Sequence, residues 1–397
     1  MQYCCETCRD LSWNEYHAFE CGILSYLEPS RYLGKMPHLA LRIITKTGMQ
    51  SLIQHSMSHL HMKNGKGDPE MEGACPPVIQ HLFDPTSYKS VHNLATNTEK
   101  RNFEDLMKKT AEAIFMAKCL KFNSFFGDGE TDTSEETRKA EGFISSLLLR
   151  HLQIASTNGL EMAECLLKNN DVTKFDIIAV GGAIFPTMSF FNHSCYPNAL
   201  RLGYQGFQVP MNSISLRHFY NQCGSAFQVI KAIRTIRRGE EVNIDYGFDF
   251  YAMSKELRTK RACTQYCFSC QCVACSNNWP VYNDMVNKPR RWKVAMTQEL
   301  MDEAERQSLC YQAGMEHLLR LDVSKALPLF RDFLVILNEL VEHPDPRYID
   351  GEEAYKQCLW LENRGYKPRP LQPQTLAGFP PQPPFLAGFS ASNPRYV

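Results

Sequence analysis

Cys270, Cys272 and Cys275 form a C-x-C-x2-C run, and no other feature of the chain restricts its folding so strongly. Three thiolates at that spacing reach one tetrahedral Zn2+ and leave a corner open for a ligand from elsewhere in the chain. Whichever residue fills that corner ties its own segment to the cluster. Cys195 is the best candidate, because it would join the run Asn192-His193-Ser194-Cys195-Tyr196-Pro197-Asn198 to the three cysteines. Cys263 and Cys267, close by in sequence, compete with it. The alternative for these thiols is to be free and buried, or paired as disulfides. Sixteen cysteines in 397 residues, several of them clustered and with no apolar signal segment at the N-terminus, fit a reducing compartment in which clustered thiols mean metal. Asn192-His193-Ser194 also matches the N-x-S glycosylation pattern, a reading that requires secretion and that the missing signal segment disfavours.

Apolar Met188, Phe190 and Phe191 predict a buried strand that ends in a polar turn at Asn192. A second strand is expected over Val242 to Tyr246, after Gly239-Glu240-Glu241. A turn carrying one Asn and one His, followed by a cysteine, suits a small polar ligand.

These residues resemble the SET and MYND domain-containing protein-lysine methyltransferases, and within them the tetratricopeptide-bearing member. The resemblance rests on Gly182-Ala183-Ile184-Phe185-Pro186, the Asn192 to Asn198 run, the Gly239-Glu240-Glu241 to Tyr246 strand, and Tyr266-Cys267-Phe268-Ser269-Cys270-Gln271-Cys272-Val273-Ala274-Cys275. It is most specific over residues 180–276. It implies S-adenosylmethionine as cofactor, contacted by Asn192 and His193, with Phe268 packed on adenine and Asn158 of Thr157-Asn158-Gly159 as an earlier contact. It also implies Tyr246 as the catalytic tyrosine, Tyr266 as a wall of the lysine channel, and a zinc ion on Cys195, Cys270, Cys272 and Cys275 that holds the last segment without doing chemistry. The implied fold class is α+β: a SET-type β core with a helical insertion, a post-SET zinc cluster and a C-terminal tetratricopeptide-like helical lobe.

At the N-terminus, Cys4, Cys8, His17 and Cys21 give C-x3-C-x8-H-x3-C, similar to the second half of a MYND zinc finger. By spacing alone these four side chains close one tetrahedron. The family template instead interleaves two zinc ions, so that each pair is completed by cysteines further upstream. The family's strands and Gly-x-Gly turn also precede the finger, which gives the expectation of an N-terminally truncated chain. Gly65-Lys66-Gly67 reads as loop.

The expected organisation is a partial MYND finger over residues 1–21, a helical insertion and linker over 22–170, the core SET domain over 171–250, the post-SET zinc segment over 251–280, a helical lobe over 290–362 and a disordered Pro-rich tail over 365–397. Helical spacing is read over 22–60, 100–120 and 144–152, and two antiparallel helices over 298–340, with a third over 352–361. Residues 61–80 and 209–224 read as loops, and residues 127–136 as a polar insert. The tail repeats Leu376-Ala377-Gly378-Phe379 as Leu386-Ala387-Gly388-Phe389 and cannot build a core.

With 43 basic and 43 acidic side chains the formal charge is zero, which disfavours direct nucleic-acid binding. The clusters Arg234-Arg237-Arg238, Arg258-Lys260-Arg261 and Lys288-Arg290-Arg291-Lys293 read as solvated faces. No apolar stretch approaches a membrane span. Two functions from different classes follow: a cytoplasmic and nuclear protein-lysine N-methyltransferase acting on lysine-bearing proteins, histones among them, with partner proteins engaged through the helical lobe; or a non-catalytic zinc-binding scaffold that keeps only part of the SET core.

Overall fold

The computed structural model describes residues 3, 5–27, 35–64, 83–127, 134–167, 172, 175–204, 227–295 and 297–363. They form two compact units, one built from residues 1–162 and 179–190, the other from 163–178 and 191–397. Cys4, the Gly65-Lys66-Gly67 loop, the 209–224 loop, most of the 127–136 insert and the 365–397 tail lie outside the described residues.

The first unit is helical: α1 (Glu6–Ser12), a π-helical turn (Trp13–His17), α2 (Ala18–Leu27), α3 (Lys35–Thr47), α4 (Met49–Asn64), α5 (Tyr88–His92), α6 (Phe103–Phe122) and α7 (Glu135–Asn158). Pro37 falls in the first turn of α3, where its missing N–H costs no helical bond. Between α3 and α4 the chain turns at Gly48, whose φ of 76° lies in the left-handed region open to glycine. Asn102 and Ser134 cap α6 and α7 through backbone N–H groups three residues on. Ile23, Leu41, Ile44, Leu52, Met116, Leu120, Ile144 and Leu148 make the core.

One buried carboxylate locks α2 to α3. Glu20 has no exposed surface; Arg42 donates to it from Nε and Nη2 at 2.6 Å each, and Thr45 Oγ1 donates at 2.6 Å. Burial alone would raise its pKa. The hydrogen bonds from His38, Arg42 and Thr45 and the Arg42 charge outweigh burial and hold it down at about 2.

A two-stranded sheet pairs β1 (Leu160–Leu167) with β2 (Phe175–Ala183). The strand expected over Met188, Phe190 and Phe191 is not formed. Met188 N–H donates to the Phe185 carbonyl at 2.9 Å and closes a turn with Pro186 at its second position, where proline is favoured. A 3-10 turn over Met188–Phe190 follows, with Phe190 64% exposed.

The second unit carries β3 (Asn192–His193), β4 (Ala199–Tyr204), β5 (Phe227–Ala232) and β6 (Asn243–Ile244). β3 pairs parallel with β6, Asn192 opposite Asn243, and β4 pairs antiparallel with β5. The strand expected over Val242 to Tyr246 is thus two residues long, because Asp245 starts a turn by accepting the Gly247 N–H at 2.8 Å. Helix α8 (Lys255–Tyr266), capped by Ser254, and the short α9 (Val273–Ser276) and α10 (Tyr282–Met285) follow. Helices α11 (Gln298–Leu319), α12 (Val323–Leu340) and α13 (Pro346–Asn363) then pack together. At Gly314 the approach of α12 is so close that a Cβ would stand 2.9 Å from Phe330 Cε1. The α+β class holds, though with more helix and shorter strands than the sequence pattern implies.

Because Glu20 is held near 2 in the fold against an ordinary value of 4.5, its stabilisation is present above pH 4.5 and lost as pH falls towards 2. Chemical denaturation between pH 5 and pH 2 is expected to show a loss of roughly 2–3 kcal/mol that Glu20→Gln abolishes. Equal slopes in both proteins would reject the assignment.

Candidate active site and metal centre

The sulfur atoms of Cys195, Cys270, Cys272 and Cys275 all lie within 4.8 Å of one another. Cys195 Sγ is 3.6 Å from Cys275 Sγ and 3.9 Å from Cys270 Sγ. Four thiolates around a tetrahedral Zn2+ at the usual bond length stand about 3.8 Å apart, whereas a disulfide needs about 2.05 Å. The donor set therefore fits a metal and not a cross-link. Local structure explains the convergence. Cys272 precedes α9 and its carbonyl accepts the Cys275 N–H at 2.9 Å, which folds the run onto itself. Hydrogen bonds from the Cys195 and Cys270 thiols pull the Cys272 thiol far below its ordinary range. Of the three candidates for the fourth corner, Cys195 joins the group; Cys263 and Cys267 are not in it.

Cys195 is delivered by β3. Ser194 N–H donates to the Ile244 carbonyl at 3.0 Å, and Phe250 N–H donates to the Cys195 carbonyl at 3.1 Å. Asn198, mostly buried, clamps the same strands: its Nδ2 donates to the Glu241 carbonyl at 2.9 Å and its Oδ1 accepts the Asn243 N–H at 2.9 Å. Asn192, by contrast, is exposed and gives its amide to Glu241 Oε1 at 2.6 Å.

Both nitrogens of His193 are engaged. Nδ1 lies 3.2 Å from the Tyr246 N–H, which can only donate, so Nδ1 accepts and the ring proton sits on Nε2, 3.2 Å from Cys195 Sγ. Burial keeps the ring neutral by lowering its pKa to about 4. Around it stands a ring of aromatics: Phe248 at 4.1 Å, Tyr246 at 5.3 Å and Phe268 at 5.8 Å between centroids, with Tyr266 at 4.9 Å from Tyr246. Phe268 reaches the cluster because α8 ends on Cys267 in the left-handed region, φ 60°, and Phe268 N–H turns back to the Ala262 carbonyl at 3.3 Å. Tyr246 donates its hydroxyl to the Phe191 carbonyl at 2.7 Å, and Tyr266 donates to the Tyr246 carbonyl at 3.2 Å. Burial, with Tyr266 and Glu241 nearby, pushes the Tyr246 phenol up to about 12. It is a neutral hydroxyl at every ordinary pH.

Residues 50–247 match the SET domain family. The chain is 26% identical over 301 residues to protein-lysine N-methyltransferase SMYD4 of Danio rerio, covering 70% of this chain and 39% of the relative. It is 23% identical over 309 residues to SMYD4 of Mus musculus, covering 69% and 35%, and 26% identical over 172 residues to histone-lysine N-methyltransferase Smyd1 of Mus musculus, covering 43% and 31%. The matched segment is a SET domain, and the relatives it resembles are SMYD proteins. The chain's match spans only about two fifths of the length of the SMYD4 relatives.

The other residues singled out in the sequence have local partners of their own. Asn158 ends α7 in the first unit, its amide committed to the carbonyls of Ala95 at 2.9 Å and Ile154 at 3.1 Å. Cys8, His17 and Cys21 lie along the continuous helical stretch 6–27, and among the described residues they form no three-ligand group. At about 1.5 Å per residue, a helix carries Cys8 some 13 Å from His17, too far to share one ion. Arg258 was grouped with a solvated basic face, yet it is 1% exposed. The signal that reveals it is helical spacing: Arg258, Ala262 and Tyr266 recur every four residues on the inner face of α8. Arg234, also read as solvated, is paired at 2.9 Å with Glu352. Asn198 stood at the end of the motif without a role.

The two asparagines of the motif separate on substitution. Asn198→Ala strips two backbone groups of their partner and is expected to cost about 2–4 kcal/mol in urea denaturation, whereas exposed Asn192→Ala costs less than about 1 kcal/mol. Equal costs would refute the division of labour.

Proposed function

We propose that this chain transfers a methyl group from S-adenosylmethionine to lysine side chains of proteins, with a zinc ion on Cys195, Cys270, Cys272 and Cys275 as a structural clamp. The observation that carries the reading is the neutral Tyr246 hydroxyl, anchored on the Phe191 carbonyl at 2.7 Å within the ring of His193, Tyr266 and Phe268. The fit to the cofactor rests on the same residues. Aromatic faces suit a sulfonium cation and an adenine ring, and Asn243 Nδ2, in the strand register opposite Asn192, is a buried donor with no partner among the described residues, suited to a polar ligand. When bound, S-adenosylmethionine supplies an electrophilic methyl that undergoes in-line displacement.

The protein's part is alignment. The Tyr246 proton is committed to Phe191, which leaves its oxygen lone pairs to accept an N–H of a neutral lysine amine and aim the nitrogen lone pair. With the cofactor bound, that lone pair would be held in line with the methyl to be transferred, and the amine proton would pass to solvent. Tyr266 walls the lysine channel, and Phe268 packs on adenine. Exposed Asn192 meets the polar part of the cofactor. His193, with both ring nitrogens engaged, contributes to cofactor binding through its backbone. Histone tails belong among the first substrates to try, since relatives at 26% and 28% identity are named histone-lysine N-methyltransferases.

Calorimetry with S-adenosylmethionine and radiomethyl transfer to a histone and cytosolic protein panel test the reading. Tyr246→Phe is expected to lower transfer roughly 100-fold while cofactor binding stays within a few-fold. Because Tyr246 stays protonated up to about pH 12, the wild-type rate should rise from pH 7 to pH 10 with deprotonation of the substrate amine. Neither heat nor transfer in the wild type would leave the scaffold reading instead.

A further inference from the structure

We propose that Arg258 is the internal counter-cation of the four-cysteine centre, so that retention of a divalent metal there depends on the positive charge of this one side chain. The inference rests on the zinc reading above and extends it to a residue outside the ligand set.

Arg258 has the largest fully buried side chain of the described residues, at 1% exposure. Its guanidinium donates from Nη1 to the Phe250 carbonyl at 3.3 Å and to the Met253 carbonyl, and from Nη2 to Cys275 Sγ at 3.7 Å; its Nε is buried without a partner. No carboxylate is among these contacts. Two other enclosed cations among the described residues are treated differently: Arg234 is paired with Glu352 at 2.9 Å and Lys356 with Glu352 at 2.8 Å. A guanidinium taken out of water without a counter-charge is strongly unfavourable, and arginine does not shed its proton to escape the penalty. Glu256, the carboxylate that feels its charge, is exposed to solvent, so the negative group in direct contact with the buried guanidinium is the sulfur cluster.

The chemistry of the centre supplies that charge. Four thiolates on a divalent metal are doubly negative in a site whose sulfurs are partly or wholly buried, so the metal-loaded cluster needs a cation as much as the cation needs the cluster. The geometry lets one arginine serve two corners. It touches Cys275 directly, and through the backbone of Phe250, whose carbonyl it contacts and whose N–H donates to the Cys195 carbonyl at 3.1 Å, it steadies the corner that comes from β3. At Cys195 itself the donor is His193 Nε2. The group on the sulfurs that carries a permanent positive charge is Arg258, through Cys275.

The test compares Arg258→Lys, which keeps the charge, with Arg258→Gln, which keeps donor groups without it. Zinc content of the full chain comes first, with Cys270→Ser identifying the ion that belongs to this cluster. If the wild type holds no such zinc, the metal reading itself falls and takes the proposal with it. With zinc present, transfer to a chromophoric chelator is expected to be 10- to 100-fold faster from R258Q and within about 3-fold of wild type from R258K. In the cobalt-exchanged protein the sulfur-to-metal charge-transfer band of R258Q should move to lower energy, because a thiolate without a cationic donor is easier to oxidise. If R258Q folds only with added metal, the zinc concentration for half-maximal refolding replaces the release rate, with the same 10- to 100-fold expectation. R258Q indistinguishable from wild type, or R258K as impaired as R258Q, would overturn the counter-cation while leaving the metal centre in place.

Discussion

The meeting of Cys195 with Cys270, Cys272 and Cys275 is the contact on which the rest of the second unit depends. The β3–β6 pair is two residues long on each side, far too short to persist as an isolated ladder. What keeps Asn192 and His193 in register is the anchoring just beyond them: Cys195 within the sulfur cluster, and Asn198 bridging Glu241 and Asn243. A metal on the four sulfurs would close a loop running from Cys195 to Cys270, and such closure lowers the entropy of the unfolded chain more than that of the fold. The ring of aromatics between these anchors is thereby assembled from segments that share no continuous sheet.

His193 is where the sulfur cluster and the aromatic ring become one structure. Its Nε2–H faces Cys195 Sγ, and its Nδ1 receives the backbone N–H of Tyr246. A sulfur acceptor on one side fixes the tautomer that makes the other nitrogen an acceptor. Loss of the sulfur would free the imidazole to rotate and release the Tyr246 backbone. The Tyr246 hydroxyl is then aimed by two independent restraints, the His193 ring at its own amide and the Phe191 carbonyl at its oxygen.

Local patterns were the legible part of the chain. The helices of the first unit and of the 298–363 region follow their apolar spacing, and the C-x-C-x2-C run announces its ligand geometry within six residues. For the long-range partner the sequence offered three cysteines with Cys195 preferred, and Cys195 is the one in the group. Other features were hidden for physical reasons. Pro186 diverts the apolar Met188 and Phe190 into a turn, where a run of hydrophobic residues reads as strand. The ligand-like spacing of Cys8, His17 and Cys21 lies on a helical stretch that spreads the side chains along its axis. Arg258 and Arg234 looked like surface charge because a buried cation differs from a solvated one only in its partners, and those partners are remote in sequence.

Helix α13 shows what such remote partners accomplish. Glu352 accepts from Arg234 at 2.9 Å and from Lys356 at 2.8 Å, Lys356 also reaches Glu353 at 2.9 Å, and Tyr251 donates to Glu353 at 2.7 Å. Two carboxylates and two cations balance, so Asp249, buried beside them, is left without a counter-charge, and burial raises its pKa to about 7. Taking four charges out of water is expensive, and an apolar replacement of equal volume would stabilise the fold at least as well. The network's advantage lies in register. Arg234 also lies over the Tyr196 ring, 3.3 Å from its centroid, and donates to the Pro197 carbonyl. Sliding or rotating α13 by one residue would strand Glu352 or Lys356 without a partner, which apolar packing would tolerate and buried charge does not. The helix is thereby held in a single seating against the segment that follows Cys195, and the same ion pairs that position the helix position the motif.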